Sequence, residues 1–412
     1  MSVSVDAPSR AGDPRDAEVG EAGGRVRVLA VCDYYLPGFH GGGPVRTVST
    51  LARLVPGEIE VSVLTRDRDA FSDVPYAGIP ADRWTAHDGV PARYVSPRAL
   101  SLSGLADAVG GREHDVLYLN SLWSAFTRRI LVLRRLGRLP RRPVVVAPRG
   151  ELSPGALGLN RVRKRAWLVA ARAAGLFRGV VWQATNEAER ELIARELGRD
   201  ATILVAPNPS LPSAAPASVP RPPKRRGELR LVYLARISEM KNLLGALELL
   251  LRAEGRITFD VYGTREREEY WERCRRAMAA LPPNVACAFH GPVPPERVEE
   301  TLARYHVFVL PTLGENFGHG VVEAMRAGCP PLISDRTPWR GLAAARAGWD
   351  VPLEDADAMR AALRQAVEMD QETWEGWAAG ARAFAEANVR PGEAREAYLR
   401  LFRRAVEGAR ER

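Results

Sequence analysis

The sequence predicts two α/β domains, each a parallel sheet sheathed in helices, and three observations carry that prediction. At 412 residues the chain exceeds one ordinary core and suits two of about 200 residues each. Short apolar runs alternate with segments of helical periodicity through both halves. Between the halves, from Pro207 to Pro223, seven prolines stand among alanines and serines, a composition suited to a semi-rigid linker and not to a core.

Taken in order, residues 1–24 are small and charged without an apolar stretch, so they read as a disordered leader and not as a secretory signal. The first domain, 25–206, opens on the apolar strand Val26–Cys32. A loop with Gly41, Gly42 and Gly43 follows, then Pro44 at a first helical position with Val45, Val48, Leu51 and Leu54 at helical spacing. A glycine-rich strand-to-helix turn lets backbone approach a phosphate or sugar closely, although the dinucleotide G-x-G-x-x-G spacing is absent. Further strands are expected at Ile59–Thr65, Asp115–Leu119, Val144–Ala147, Gly179–Gln183 and Thr202–Val205, and Asn186 with Glu189 reads as a capping box. Ligands of such sheets gather at the carboxyl ends of the strands.

The linker is expected over 207–227. The second domain, 228–375, begins with a strand that runs into Arg236 to Asn242, then a long helix with Leu243, Leu244, Leu247, Leu250 and Leu251 on one face. Arg236 at a strand end and Lys241 at a helix start are placed to converge on one anion. Strands at Ile257–Gly263 and Val285–Gly291 lead to Val307–Leu310. There a polar turn, Gly314 to Gly318, feeds a helix over His319–Ala327, stopped by Gly328 and two prolines. A helix N-terminus after a polar loop is an anion site, because its first N–H groups lack internal partners. Glu315 and Glu323 bracket it, though a bare pair at that spacing is more often a solvated helix face. Residues 376–412 read as terminal helices.

Composition narrows the classes. A hydrophobic content of 46% suits a globular enzyme, and no apolar run reaches the 18 or more residues of a spanning helix. Cys32, Cys274, Cys287 and Cys329 share no C-x-x-C spacing, which points to reduced thiols in a cytoplasmic protein and to no structural zinc. The net charge of +9 is local: between Trp123 and Arg178 there are 14 Lys or Arg against the single acid Glu151, and the remainder of the chain is acidic. Such a patch suits an anionic membrane surface or nucleic acid, or is simply a set of solvated arginine-rich helices.

The string ENFG, then VVEAMRAGCPPLISD, then TPW resembles the Glu-x7-Glu signature of retaining nucleotide-sugar glycosyltransferases of family 4 (group 1), which have the two-domain GT-B fold. The resemblance implies two Rossmann-like domains facing across a cleft. It implies that Glu323 grips the ribose, and that Glu315 with Asn316, Phe317 and Gly318 holds the donor sugar. Arg236 and Lys241 match the R-x4-K-N element that holds the donor diphosphate. Gly41, Gly42 and Gly43 match the loop beside the donor phosphates, and Gly263, Gly291 and Val293 the segments that meet the base. Asn120 stands near where many members carry a donor-contacting histidine.

Arg149, Gly150 and Glu151 belong to a PRG-x-LS-P loop like that of a surface-polysaccharide subgroup, where it lines the acceptor side; Glu151 departs from the usual apolar residue. The last helix is expected to cross back onto the first domain. The reaction implied is hexosyl transfer to a glycan, lipid-linked or small-molecule acceptor, with no metal, no cofactor and no nucleic acid, and with peripheral contact at the anionic inner membrane face.

Three rivals remain at this point. A metal-dependent fold would use Asp-x-Asp, matched literally by Asp67-Arg68-Asp69 and Asp355-Ala356-Asp357. A GT-B epimerase or phosphorylase shares the architecture. A basic nucleic-acid-binding protein lacks support, since Trp123, Phe126, Trp167 and Phe177 alone interleave the positive segment and no binding motif accompanies them.

Overall fold

The computed structural model describes residues 25–55, 57–158, 160–210 and 221–410; the leader expected over 1–24 and the middle of the expected linker, 211–220, lie outside the described residues. Eight strands form the first sheet: β1 (Val26–Val31), β2 (Ile59–Arg66), β3 (Trp84–His87), β4 (Val90–Val95), β5 (Val116–Asn120), β6 (Val144–Ala147), β7 (Val180–Ala184) and β8 (Thr202–Val205). Their order is β3-β4-β2-β1-β5-β6-β7-β8. Every pairing is parallel except β3 with β4. That hairpin is absent from the expected strands. Its signal is the Asp88-Gly89 pair, both at positive φ, between two short extended runs.

The second sheet contains β9 (Glu228–Leu234), β10 (Arg256–Tyr262), β11 (Val285–Gly291), β12 (Val307–Leu310), β13 (Pro331–Ser334) and β14 (Trp349–Val351). It is wholly parallel in the order β11-β10-β9-β12-β13-β14. Strands such as β6 and β12 are buried along their whole length, as strands covered on both faces must be.

Among the described residues, six helices belong to the first half: α1 (Gly43–Leu54), α2 (Leu102–Gly110), α3 (Ala125–Arg135), α4 (Pro154–Gly158), α5 (Arg161–Ala173) and α6 (Glu187–Leu197). The second half has α7 (Leu243–Leu250), α8 (Glu268–Ala279), α9 (Val298–Leu302), α10 (His319–Arg326), α11 (Ala356–Glu368), α12 (Gln371–Asn388) and α13 (Pro391–Arg410). The long helix expected after Lys241 is in fact the short α7: Leu243, Leu247 and Leu250 are buried as the period requires, but Leu251 ends the helix and is exposed.

One face of the first sheet packs Leu29, Leu117 and Leu119 with Phe126 of α3. The other face packs Val28, Ala30, Tyr118 and Val145 with α1 and with α13, which brings Tyr398, Leu401 and Phe402 from the end of the chain. The second sheet has its own core with α7, α8, α10, α11 and α12. No helix among the described residues is long and apolar enough to cross a membrane.

Candidate active site

The wall formed by the second sheet is assembled at the ends of β9 and β12. After β9 the chain passes Arg236, makes a single 3-10 turn over Glu239–Lys241, and enters α7 through Asn242, which holds φ 55°. The Asn242 side chain accepts from Gly245 N at 3.1 Å and donates to the Pro311 carbonyl at 2.9 Å, tying this turn to the end of β12. The Met240 carbonyl accepts from Thr312 Oγ1 and from Leu313 N, at 2.9 and 2.8 Å. The two stretches that are remote in sequence are thereby one unit, and Lys241 forms an ion pair with Glu315. Arg236 lies 3.4 Å from Glu266.

α10 follows Gly318, φ 77°, with no side-chain cap. Its first N–H groups have no side-chain partner, and Gly318, His319 and Gly320 line the cleft. Trp339 donates from Nε1 to the Phe317 carbonyl at 2.6 Å and meets the Phe317 ring edge-on, which fixes the turn before the helix. Gly263 has no alternative: its φ is 150°, and a Cβ there would lie 1.8 Å from the Ala235 carbonyl.

The opposite wall comes from β1, β5, β6 and α6. Asp69 shapes the loop after β1 by accepting from Phe39 N at 3.0 Å and His40 N at 3.2 Å. Gly42 then faces Arg236, and Gly43 faces His319, close enough that a Cβ at either would touch the other domain's side chain. Gly41 instead packs inward on Tyr34. One turn into α1, Arg46 forms an ion pair with Glu323, and Thr47 Oγ1 lies 3.4 Å from His319 Nε2. Burial among Arg46, Arg149 and Lys241 drives the His319 pKa down to about 3, so this imidazole is neutral.

At the end of β6, Arg149 holds φ 57° and Gly150 φ 79°. The Arg149 guanidinium donates to Asn120 Oδ1 at 2.7 Å, to Tyr118 Oη at 2.5 Å and to Asn208 Oδ1. Its Nε is buried without a partner, and among the described residues no carboxylate lies within 4 Å. Asn120 is 1% exposed, and its amide is engaged by Arg149 and by the Val31 carbonyl, so it orients Arg149 instead of reaching the cleft as a free donor. Glu151 accepts from Ser121 Oγ and Leu122 N, both at 2.6 Å, and from Trp123 N at 3.2 Å. Burial pushes its carboxyl up to about 7 against those bonds.

These walls enclose a cleft of about 1440 Å³. Every expected site residue except Gly291 lines it; Gly291 lies behind the lining and accepts from Gly263 N at 2.9 Å. Neither Asp-x-Asp tripeptide gathers into a metal site. Asp67 pairs with Arg68 and Asp69 orders the glycine loop, while Asp355 caps α11 and Asp357 pairs with Arg360. Among the described residues no group of three or more His, Cys, Asp or Glu side chains is placed to hold a metal ion.

Solved structures share this architecture across their whole length. A sucrose-phosphate synthase from Thermosynechococcus elongatus superposes with a TM-score of 0.70 at 16% identity, covering 93% of this chain and 100% of that one. HepE from Anabaena in complex with UDP-glucose gives 0.65 at 15% identity, covering 94% and 100%. WaaG, a glycosyltransferase involved in lipopolysaccharide biosynthesis, gives 0.62 at 15%, covering 93% and 99%. The fold is GT-B. The family described as Glycosyl transferases group 1 matches residues 217–384, the half of the GT-B cleft that carries Arg236, Lys241, Glu315 and Glu323. No curated protein matches the chain by sequence. The group 1 domain and the GT-B architecture together support a glycosyltransferase.

Several residues of the GT-B cleft escape the sequence reading. Arg46 and His319 each act on a partner far along the chain, so no local spacing marks them; Asp69 and Glu189 are marked only as part of an Asp-x-Asp tripeptide and a capping box, not by their contacts to the loops of the cleft. Trp339 is different. It stands in the TPW string that carries the resemblance.

Proposed function

We propose that the protein is a retaining, metal-independent family 4 glycosyltransferase. In this reading it moves a hexosyl group from a nucleoside-diphosphate sugar to a glycan, lipid-linked or small-molecule acceptor, in polysaccharide or cell-envelope glycan synthesis. The observation that carries the reading is the meeting of two cations, two carboxylates and an uncapped helix N-terminus on one wall of a cleft between two parallel sheets. HepE, which shares the fold, was solved with UDP-glucose, in keeping with a nucleotide-sugar donor.

The donor diphosphate lies against Arg236, Lys241 and the N–H groups at the start of α10. Glu323 takes the ribose hydroxyls and Glu315 those of the sugar. The bond from the anomeric carbon to the phosphate oxygen breaks, and its electron pair passes to that oxygen. Arg236 and Lys241 stabilise the charge that develops there, each at roughly 3 kcal/mol in the transition state. The acceptor hydroxyl, reaching the same face from the side of Arg149 and Gly150, bonds to the anomeric carbon and gives its proton to the departing phosphate. Configuration is retained.

The exposed side of α5 supports a membrane-facing acceptor. Arg161, Arg163 and Arg165 are exposed beside Val162 and Val169, which are 84% and 69% exposed, and among the described residues none of these arginines has an ion pair. Basic residues near an anionic surface contribute about 1 kcal/mol each.

A thermal-shift screen with UDP, GDP, ADP and TDP tests the donor reading. A ligand at about 100 times its dissociation constant stabilises by about 2.7 kcal/mol. One nucleotide raises the melting temperature, and transfer from the matching sugar continues in excess EDTA; no shift with any of them overturns the proposal.

A further inference from the structure

Glu189 stands in the first turn of α6, 2% exposed, and takes hydrogen bonds from both walls of the cleft. Oε1 accepts from Gly150 N at 2.6 Å. Oε2 accepts from the Asn316 side-chain amide at 2.9 Å, from Thr185 N at 2.7 Å and from Thr185 Oγ1 at 2.8 Å. An ionised carboxylate has about four acceptor positions, so this one is saturated.

As the third residue of a capping box it should reach back to the Asn186 N–H. Asn186 does accept from Glu189 N, at 2.8 Å, but the Glu189 carboxylate turns away from its own helix toward the loops on either side of the cleft. Two further contacts follow the same line. Asn186 Nδ2 donates to the Asn316 carbonyl at 3.0 Å. A Cβ on Gly150 would lie 2.9 Å from the Asn316 Cβ, so the approach of the two loops is tight enough to demand glycine.

We infer that Glu189 is a positioning residue that clasps the Arg149–Glu151 loop to the Gly314–Gly318 loop. It thereby sets the register in which the acceptor side meets the donor sugar. The naming of the two sides rests on the glycosyltransferase reading; the clasp itself does not. Opening the cleft withdraws the Asn316 amide and leaves a buried carboxylate one donor short, which favours the closed arrangement. Because the expected nucleotide contacts lie on the second-domain wall, loss of the clasp lowers turnover and does not weaken nucleotide binding.

The test uses the full chain with Glu189→Gln, Asn316→Ala and the double variant. Asn316→Ala leaves the first domain untouched, so a misfolded Glu189→Gln does not decide the matter. Small-angle scattering without substrate reports opening as a larger radius of gyration in each variant. Calorimetry with the nucleoside diphosphate of largest thermal shift gives a Kd no more than about twofold weaker than the parent's, while kcat of Glu189→Gln, which lies outside the expected donor contacts, falls about tenfold or more. The double variant is no worse than the poorer single one, as a shared contact requires. Unchanged scattering in both single variants, multiplying effects in the double, or nucleotide affinity lost in step with kcat each overturns the inference. If the variants open but no nucleotide binds the parent, the clasp holds and the donor reading is the one that fails.

Discussion

At the scale of single residues, the proposed donor wall makes sharp demands. Lys241→Ala and Arg236→Ala are each expected to lower kcat by about 10² or more with the fold intact. Lys241→Ala should be the more damaging, because Lys241 is well covered and neutralises Glu315, whereas the Arg236 side chain is 40% exposed. Steady-state kinetics on the two variants checks both the size and the order. The carboxylates divide differently. Glu323→Ala should weaken binding of the nucleoside diphosphate alone by about 1.5–3 kcal/mol, and Glu315→Ala should leave that affinity and reduce turnover. Calorimetry decides, since equal losses of affinity would remove the division. The placement of these four in the cleft can be read from the sequence because each pair, Arg236 with Lys241 and Glu315 with Glu323, sits at a fixed offset inside a short contiguous string. That of Arg46 cannot, because its partner Glu323 lies on the other domain and no periodicity joins them.

At the scale of elements, α13 reaches beneath the cleft from the far end of the chain. Tyr398 Oη accepts from Gln183 Nε2 at 2.9 Å, and Gln183 Oε1 accepts from Tyr118 Oη, which in turn meets Arg149. Tyr398→Phe leaves a buried amide hydrogen without its acceptor and should destabilise by about 1–3 kcal/mol in urea unfolding, with a loss of kcat through Arg149. α5 makes a different prediction: the protein should sediment with anionic vesicles at low salt and be released at high salt. If it remains in the supernatant with anionic lipid, a soluble acceptor is the better reading. Most strands stand out in the sequence because a strand covered on both faces must be apolar throughout. The β3–β4 hairpin and the true length of α7 do not, since a half-exposed edge strand has a faint pattern and five leucines suit a longer helix than the turn at Leu251 permits.

At the scale of the molecule, pH sets the limits. His306 accepts from Arg230 N at Nδ1, 3.0 Å, and burial lowers its pKa to about 4; His319 is lowered to about 3. Both bind fewer protons folded than unfolded below the ordinary value of about 6.5. Their stabilising contribution is complete above that pH and is lost as pH falls toward 4 and then 3, at up to about 1.4 kcal/mol per pH unit for each. Glu151 runs oppositely: raised to about 7, its contribution is present below about 4.5 and lost as pH rises through 7. Melting temperatures across pH 4 to 8, with His306→Gln as the control, should show the acid limb flatten in the variant. The ion pair between Arg46 and Glu323 has a different consequence. The carboxylate expected to receive ribose is paired with a guanidinium from the same molecule, so under the proposed donor reading Arg46 would compete with the nucleotide for Glu323. If that internal ligand is seated about nine-tenths of the time, the observed Kd is about tenfold weaker than the intrinsic one. Removing it with Arg46→Met should tighten nucleotide binding by that factor, and only a ligand complete enough to outcompete a tethered arginine would gain entry to the parent.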